Sequence, residues 1–200
     1  MKKHSILFLL SALFAMSCGQ YYKLTEKDYE WMPYKGNETL VFQSNTGDSD
    51  TIFLLEKDTL TAYPEAQSSN GIKYEVLSIA CKHSDSYSVD NKQSYLENVF
   101  FEISRNKSNR SSIAIHLSAK DANFYRLNLI RIDSLVKQPS STLRTKYGQF
   151  DDIYVIDGQD YLGNFYQRSD FVTKVYWSKS QGLIRYDKKA GVYWELEKKY

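Results

Sequence analysis

The residues best suited to chemistry lie between Tyr147 and Arg168, in the run YGQFDDIYVIDGQDYLGNFYQR. Asp151, Asp152, Asp157 and Asp160 stand there among the rings of Tyr154, Tyr161, Phe165 and Tyr166. Two carboxylates could divide acid and base work on a glycosidic bond, and flat rings could hold sugar faces. Those four rings form the candidate ligand-binding set. Turns also collect Asp and Gly while strands collect Tyr and Phe, so local structure alone predicts the same composition. Carboxylates in turns face water and stay ionised, which makes them poor general acids. The run therefore predicts binding rather than catalysis, and no residue receives a catalytic role.

Other chemistries have less to work with. Beyond the N-terminal segment the histidines are His83 and His116. Zinc wants three or four convergent ligands, and His83-Ser84-Asp85 offers two with no third at a recognisable spacing. Asp48-Ser49-Asp50 begins like a calcium loop but has Phe53 where glycine is needed and Thr59 where a bidentate acid is needed. No metal and no cofactor is expected. Ser84 adjoins His83, yet neighbours on a strand point to opposite faces and cannot act as nucleophile and base. Cys81 lies in an apolar run, the setting of a structural thiol.

Chemistry of a different kind is written at the start, MKKHSILFLLSALFAMSCGQ. Lys2 and Lys3 precede an apolar stretch, Ile6 to Met16, interrupted only by Ser11. Small residues follow, so residues 1–17 read as a secretory signal peptide whose apolar part is too short to span a bilayer. Ser17-Cys18 resembles the lipobox of bacterial lipoproteins, in which the cysteine after the cut becomes the first mature residue and carries the lipid. The resemblance implies acylation of Cys18 and a membrane partner. No aspartate follows Cys18, which favours the outer membrane, and the start of the mature chain lacks the acid-rich signal for surface export, which favours its periplasmic side. Ordinary cleavage after Ala15-Met16-Ser17 is the other reading, and it would leave Cys18 free to pair with Cys81.

Removing residues 1–17 takes two of the 26 basic residues and none of the 24 acidic ones, so the remainder is formally neutral. Nucleic acid demands a concentrated basic face, and none is expected as a partner. An unidentified protein, glycan or lipid is expected instead.

The positioning elements follow from period-two alternation. Residues 18–37 are polar and aromatic and read as a lipid-anchored tether docked through Trp31, with one or two helical turns up to Met32 that Pro33 stops. From residue 38 to 200 the pattern is that of short strands. These are Thr39 to Ser44, Thr51 to Leu55, Leu60 to Tyr63 and Ile72 to Lys82, the last with a bulge expected near Val76 or Leu77. A polar loop to Tyr95 leads into alternation around Val99, Phe101 and Ile103, then Ile113, Ile115 and Leu117, then Tyr125, Leu127 and Leu129. Residues 133–147 read as a connector starting with a helical turn. Further strands are expected over Asp151 to Asp157, Tyr161 to Tyr166, Phe171 to Ser178, Gly182 to Tyr186 and Val192 to Glu197. The pattern predicts an all-β domain with short helical turns only. It is a single antiparallel, strongly curved sheet, a sandwich or an incomplete barrel.

The closing run VYWSKSQGLIRYDKKAGVYWEL and the opening run WMPYKGNETLVFQSNTGDSDTI resemble uncharacterised envelope lipoproteins of Bacteroides-type bacteria. The resemblance implies an envelope lipoprotein and favours a curved sheet of the lipoprotein-carrier kind. The expected role is a non-catalytic binding or scaffold module. A carbohydrate-binding module or glycoside hydrolase using residues 147–168 is the alternative.

Overall fold

The computed structural model describes residues 20–62, 72–83, 87–89, 92–94, 98–119, 122–124, 126, 128–160 and 163–200. The first strands are β1 (Tyr21–Tyr22), β2 (Thr39–Ser44), β3 (Ser49–Ala62) and β4 (Lys73–His83). A short hairpin, β5 (Tyr87–Val89) and β6 (Lys92–Ser94), occupies part of the expected polar loop. Next come β7 (Asn98–Arg105), β8 (Ser111–Ile115), the small pair β9 (Ser118–Ala119) and β10 (Ala122–Asn123), and β11 (Ile130–Arg131). The chain closes with β12 (Ser141–Thr145), β13 (Gly148–Asp157), β14 (Val172–Ser178), β15 (Gly182–Lys188) and β16 (Tyr193–Lys199). Two four-residue helices, α1 (Glu26–Tyr29) and α2 (Ile132–Leu135), complete the described regular elements with two 3₁₀ turns.

One twelve-stranded sheet runs in the order β11-β8-β7-β4-β3-β2-β16-β15-β14-β13-β12, with β1 attached beside β4. Its pairings are antiparallel apart from that of β1, and it curls into a half-barrel. The inner face is dry because apolar residues alternate inward, as Leu40 and Phe42 do in β2 and Leu77, Ile79 and Cys81 do in β4. Rings dominate the filling: Phe101 stacks on Trp177 at 4.4 Å between centroids, and Tyr186 lies against both Phe42 and Trp194.

Several expectations change in detail. The segments around Thr51 and Leu60 form one strand, β3, whose irregularity between Leu54 and Lys57 mimics a break in the sequence pattern. The phase change in β4 is only apparent. That strand keeps a single alternation, and the extra residues sit on its partners, β3 near Glu56 and β7 at Phe100. The β7 bulge lets Phe100 and Phe101 both turn inward and both be fully buried, against the strict alternation expected there. The connector after Asp133 contains β12, and Leu129 is exposed rather than inward-facing. Tyr125, Leu127 and Tyr161 lie outside the described residues, and the rest of the expected strand after Tyr161 holds a 3₁₀ turn at Phe165–Gln167.

The largest correction concerns residues 18–37. From Gln20 onward this segment is part of the domain rather than a tether, and the expected docking through Trp31 is one of several contacts. Gln20 accepts a hydrogen bond from the Lys73 amide, and the Tyr22 ring stacks on Tyr74. Thr25 and Asp28 close a capping box around α1. Trp31 and Tyr34, 3% and 1% exposed, then enter the concave side. Tyr34 meets Phe100, Phe101 and Trp177, and its oxygen accepts the Leu183 amide at 2.8 Å. Aromatic area, hidden from the sequence pattern because it is not periodic, makes this segment a plug.

Candidate functional site

The two edges of the half-barrel define the site. The strand β12 covers only the first part of β13, pairing Ser141 with Ile153. Residues Tyr154 to Asp157 continue beside β14 alone among the named strands. At the opposite edge β11 is bonded to β8, and α2 follows it directly. Only residues 132–140 separate β11 from β12, so a short crossing joins the two edges of the sheet.

A cleft of about 290 Å³ opens between β13 and the β11–α2 corner. Its apolar lining comes from Leu129, Ile130 and Leu135 on one side and Val155 and Ile156 on the other. Arg126, Arg131, Ser134, Gln138 and Asp157 supply polar atoms. A smaller cavity of about 90 Å³ adjoins β8 and shares Arg126, Leu129 and Ile130 with the cleft.

Arg126 spans the seam. Its Nη1 donates to the Asp157 carbonyl at 2.9 Å, while its buried Nε has no hydrogen-bond partner. Burial pulls the guanidinium below its ordinary pKa, and the Asp157 charge opposes that pull. The Asp157 carboxylate itself lies 3.9 Å from the Lys174 ammonium. Arg131 differs from Arg126, for a bidentate contact with Asp133 occupies it and raises its pKa.

The two candidate rings whose side chains are described, Tyr154 and Tyr166, do not share one face. Tyr154 lies opposite Trp177 and packs on Trp31, centroids 5.3 Å apart, so it faces the core. Tyr166 is 57% exposed, rests on Phe171 and carries Lys189 over its ring at 4.2 Å. Phe165 begins the 3₁₀ turn, and Tyr161 and Cys18 lie outside the described residues.

The four acids of the same run serve different partners. Asp152 accepts from the Ser178 hydroxyl at 2.6 Å and the Ser180 amide at 2.8 Å. Burial alone would raise its pKa, but those hydrogen bonds outweigh it and hold the carboxyl below its usual range. Asp160 accepts from the Gly163 and Tyr166 amides. Asp151 meets the Thr142 hydroxyl and the Gln149 amide. These are the contacts of turn and strand acids, each with its own donors.

Among the described residues no cluster of His, Cys, Asp and Glu could hold a metal ion. His116 lies on the surface 3.5 Å from Glu102. Burial pushes the Cys81 thiol up to about 12, with the Asp50 charge adding to the effect.

Sequence reasoning found the β13 wall of the cleft, because Asp157 lies in the acid-rich run. It missed Arg126 and Leu129 as site residues, because the alternation read over Tyr125 to Leu129 puts Leu129 inside, whereas it is exposed and both residues reach the seam only through the order of strands. The fold and seam together define a half-barrel β domain with a mixed polar and apolar cleft. Compared with family models, curated proteins and solved structures, the chain matches none of them.

Proposed function

We propose that this chain is a lipid-anchored protein of the bacterial cell envelope, held at the periplasmic side of the outer membrane through Cys18, and that it binds a ligand without catalysis at the seam. The signal-like start and Cys18 support the address. One structural observation carries the binding reading. The concave side holds the chain's own Trp31 and Tyr34, and among the described residues the seam offers an open cleft with an incompletely satisfied cation in its wall. Concave sites that set polar groups beside an apolar lining are where small ligands bind, and this cleft has both.

A glycan-binding reading rests on Tyr166, the exposed ring of the acid-rich run. Tyr154 faces the core instead, so of the two candidate rings whose side chains are described only Tyr166 is open to a sugar, and the seam is the preferred reading.

The address is tested by feeding cells a labelled fatty acid. Cys18→Ala should abolish labelling and move the protein to the soluble envelope fraction. Persistence of the variant in the membrane fraction would overturn the anchor. Turnover of glycan or ester substrates, lost on replacing Asp151 and Asp152 by Asn with folding intact, would replace binding by hydrolysis.

A further inference from the structure

We propose that the seam cleft takes a small carboxylate bearing an apolar body, the carboxylate on Arg126 and the body against Leu129, Val155 and Ile156. The assignment rests on the seam being the binding site and names its ligand chemistry.

The charge is set by Arg126. A guanidinium has five N–H donors in a planar fork that matches a carboxylate. Here Nη1 is committed to a backbone carbonyl and the buried Nε to nothing. An unpaired donor out of water is costly, and a charged acceptor offsets that cost most fully. Among the described residues no neighbouring carboxylate hydrogen-bonds it, although the Asp157 charge is felt there. The Asp133 carboxylate is held by Arg131, and the Asp157 carboxylate lies beside Lys174.

The body is set by the rims. Leu129 is 54% exposed on one lip and Val155 38% exposed on the other, with buried Ile130 and Ile156 also in the walls. Two apolar lips flanking a cation favour an amphiphile over a sugar or a bare inorganic ion. The volume, at the low end for ligand sites, limits the body to fragment size. Short fatty acids and the C-terminal residue of a peptide share this chemistry.

Calorimetric titration of the full-length chain separates these sources. Hexanoate and N-acetyl-leucine are the two probes, with hexanol and N-acetyl-leucinamide as their neutral counterparts. At least one acid should bind saturably and exceed its neutral counterpart by about tenfold or more, the worth of a charged hydrogen bond. The stronger acid identifies the source. Arg126→Gln should erase the preference for charge. Because that variant also loses the contact to Asp157, Leu129→Trp provides a second arm, filling the cleft with Arg126 intact and blocking every probe. Equal binding of acid and neutral counterpart, no saturable binding by either acid, or undiminished binding in Leu129→Trp overturns the assignment. Cys18→Ala should titrate like the parent, so loss of the anchor reading leaves this result standing. Binding of only a neutral probe would keep the seam as a site and remove the carboxylate.

Discussion

At Gly182 the backbone has φ +92°, and a Cβ there would overlap the Tyr34 hydroxyl and ring. Gly182→Ala should therefore cost several kcal/mol, about 2–4, from strain and displacement of the plug together. Tyr34→Phe keeps the ring but strands the Leu183 amide, a loss of about 1–3 kcal/mol. Denaturant midpoints measure both. The last strand holds a second contrast. Trp194 is buried as the alternation predicts, and Trp194→Ala should cost about 3–5 kcal/mol. Alternation also puts Glu195 in water, with truncation then costing almost nothing. The structure leaves Glu195 only 7% exposed, accepting from Arg185 and from the Lys146 amide. Glu195→Ala should cost about 1–3 kcal/mol, measured the same way. Cys81, buried and with its thiol pushed up to about 12, should resist alkylation at pH 8 until the protein is unfolded.

Among the elements, the β14–β15 hairpin depends on a carboxylate from outside it, since Asp152 of β13 holds Ser178 and Ser180. Asp28 and Asp170 are likewise held below their usual pKa. For Asp28, hydrogen bonds and Arg105 outweigh burial; for Asp170, the leading cause is the Arg168 hydrogen bond. A carboxyl lowered in the folded state adds stability that is complete above its unfolded value. That stability is lost as pH falls through the folded one. Unfolding free energy should thus hold steady near neutrality and fall below about pH 4. Asp152→Asn should be less stable at pH 7, and its deficit should shrink toward pH 2.5 in urea titrations. A strand such as β2 could be read from the sequence because its residues alternate between a dry face and a wetter one. The plug was legible only at Trp31, expected to dock, while Tyr34 obeys no period and its partners lie far along the chain. Phe100 and Glu195 were misplaced for a related reason. A bulge on one strand and a cross-strand ion contact both override alternation, and neither leaves a local mark. The Arg126 cleft exists only where two sheet edges meet, so no single stretch of sequence contains it.

For the whole molecule, a curled sheet with its own segment packed inside behaves as one unit. The attachment of β1 to β4 has a mechanical consequence. If Cys18 carries lipid, Gly19 alone separates it from Gln20, whose carbonyl is already bonded to Lys73. Two residues reach about 7 Å at most, so the domain has no leash and cannot tumble above the bilayer. Tyr21 and Lys23 on this side would graze the headgroups, and a tryptophan replacing Tyr21 should be quenched by shallow lipid-borne quenchers. Ten Gly/Ser residues inserted after Gly19 should relieve that quenching while leaving fractionation unchanged. The seam edge, β11, stands three strands around the wall from β4, about 14 Å at ordinary strand spacing. The cleft would then be carried at a fixed height and bearing, like an instrument bolted to a deck, and cargo would have to approach it from one side.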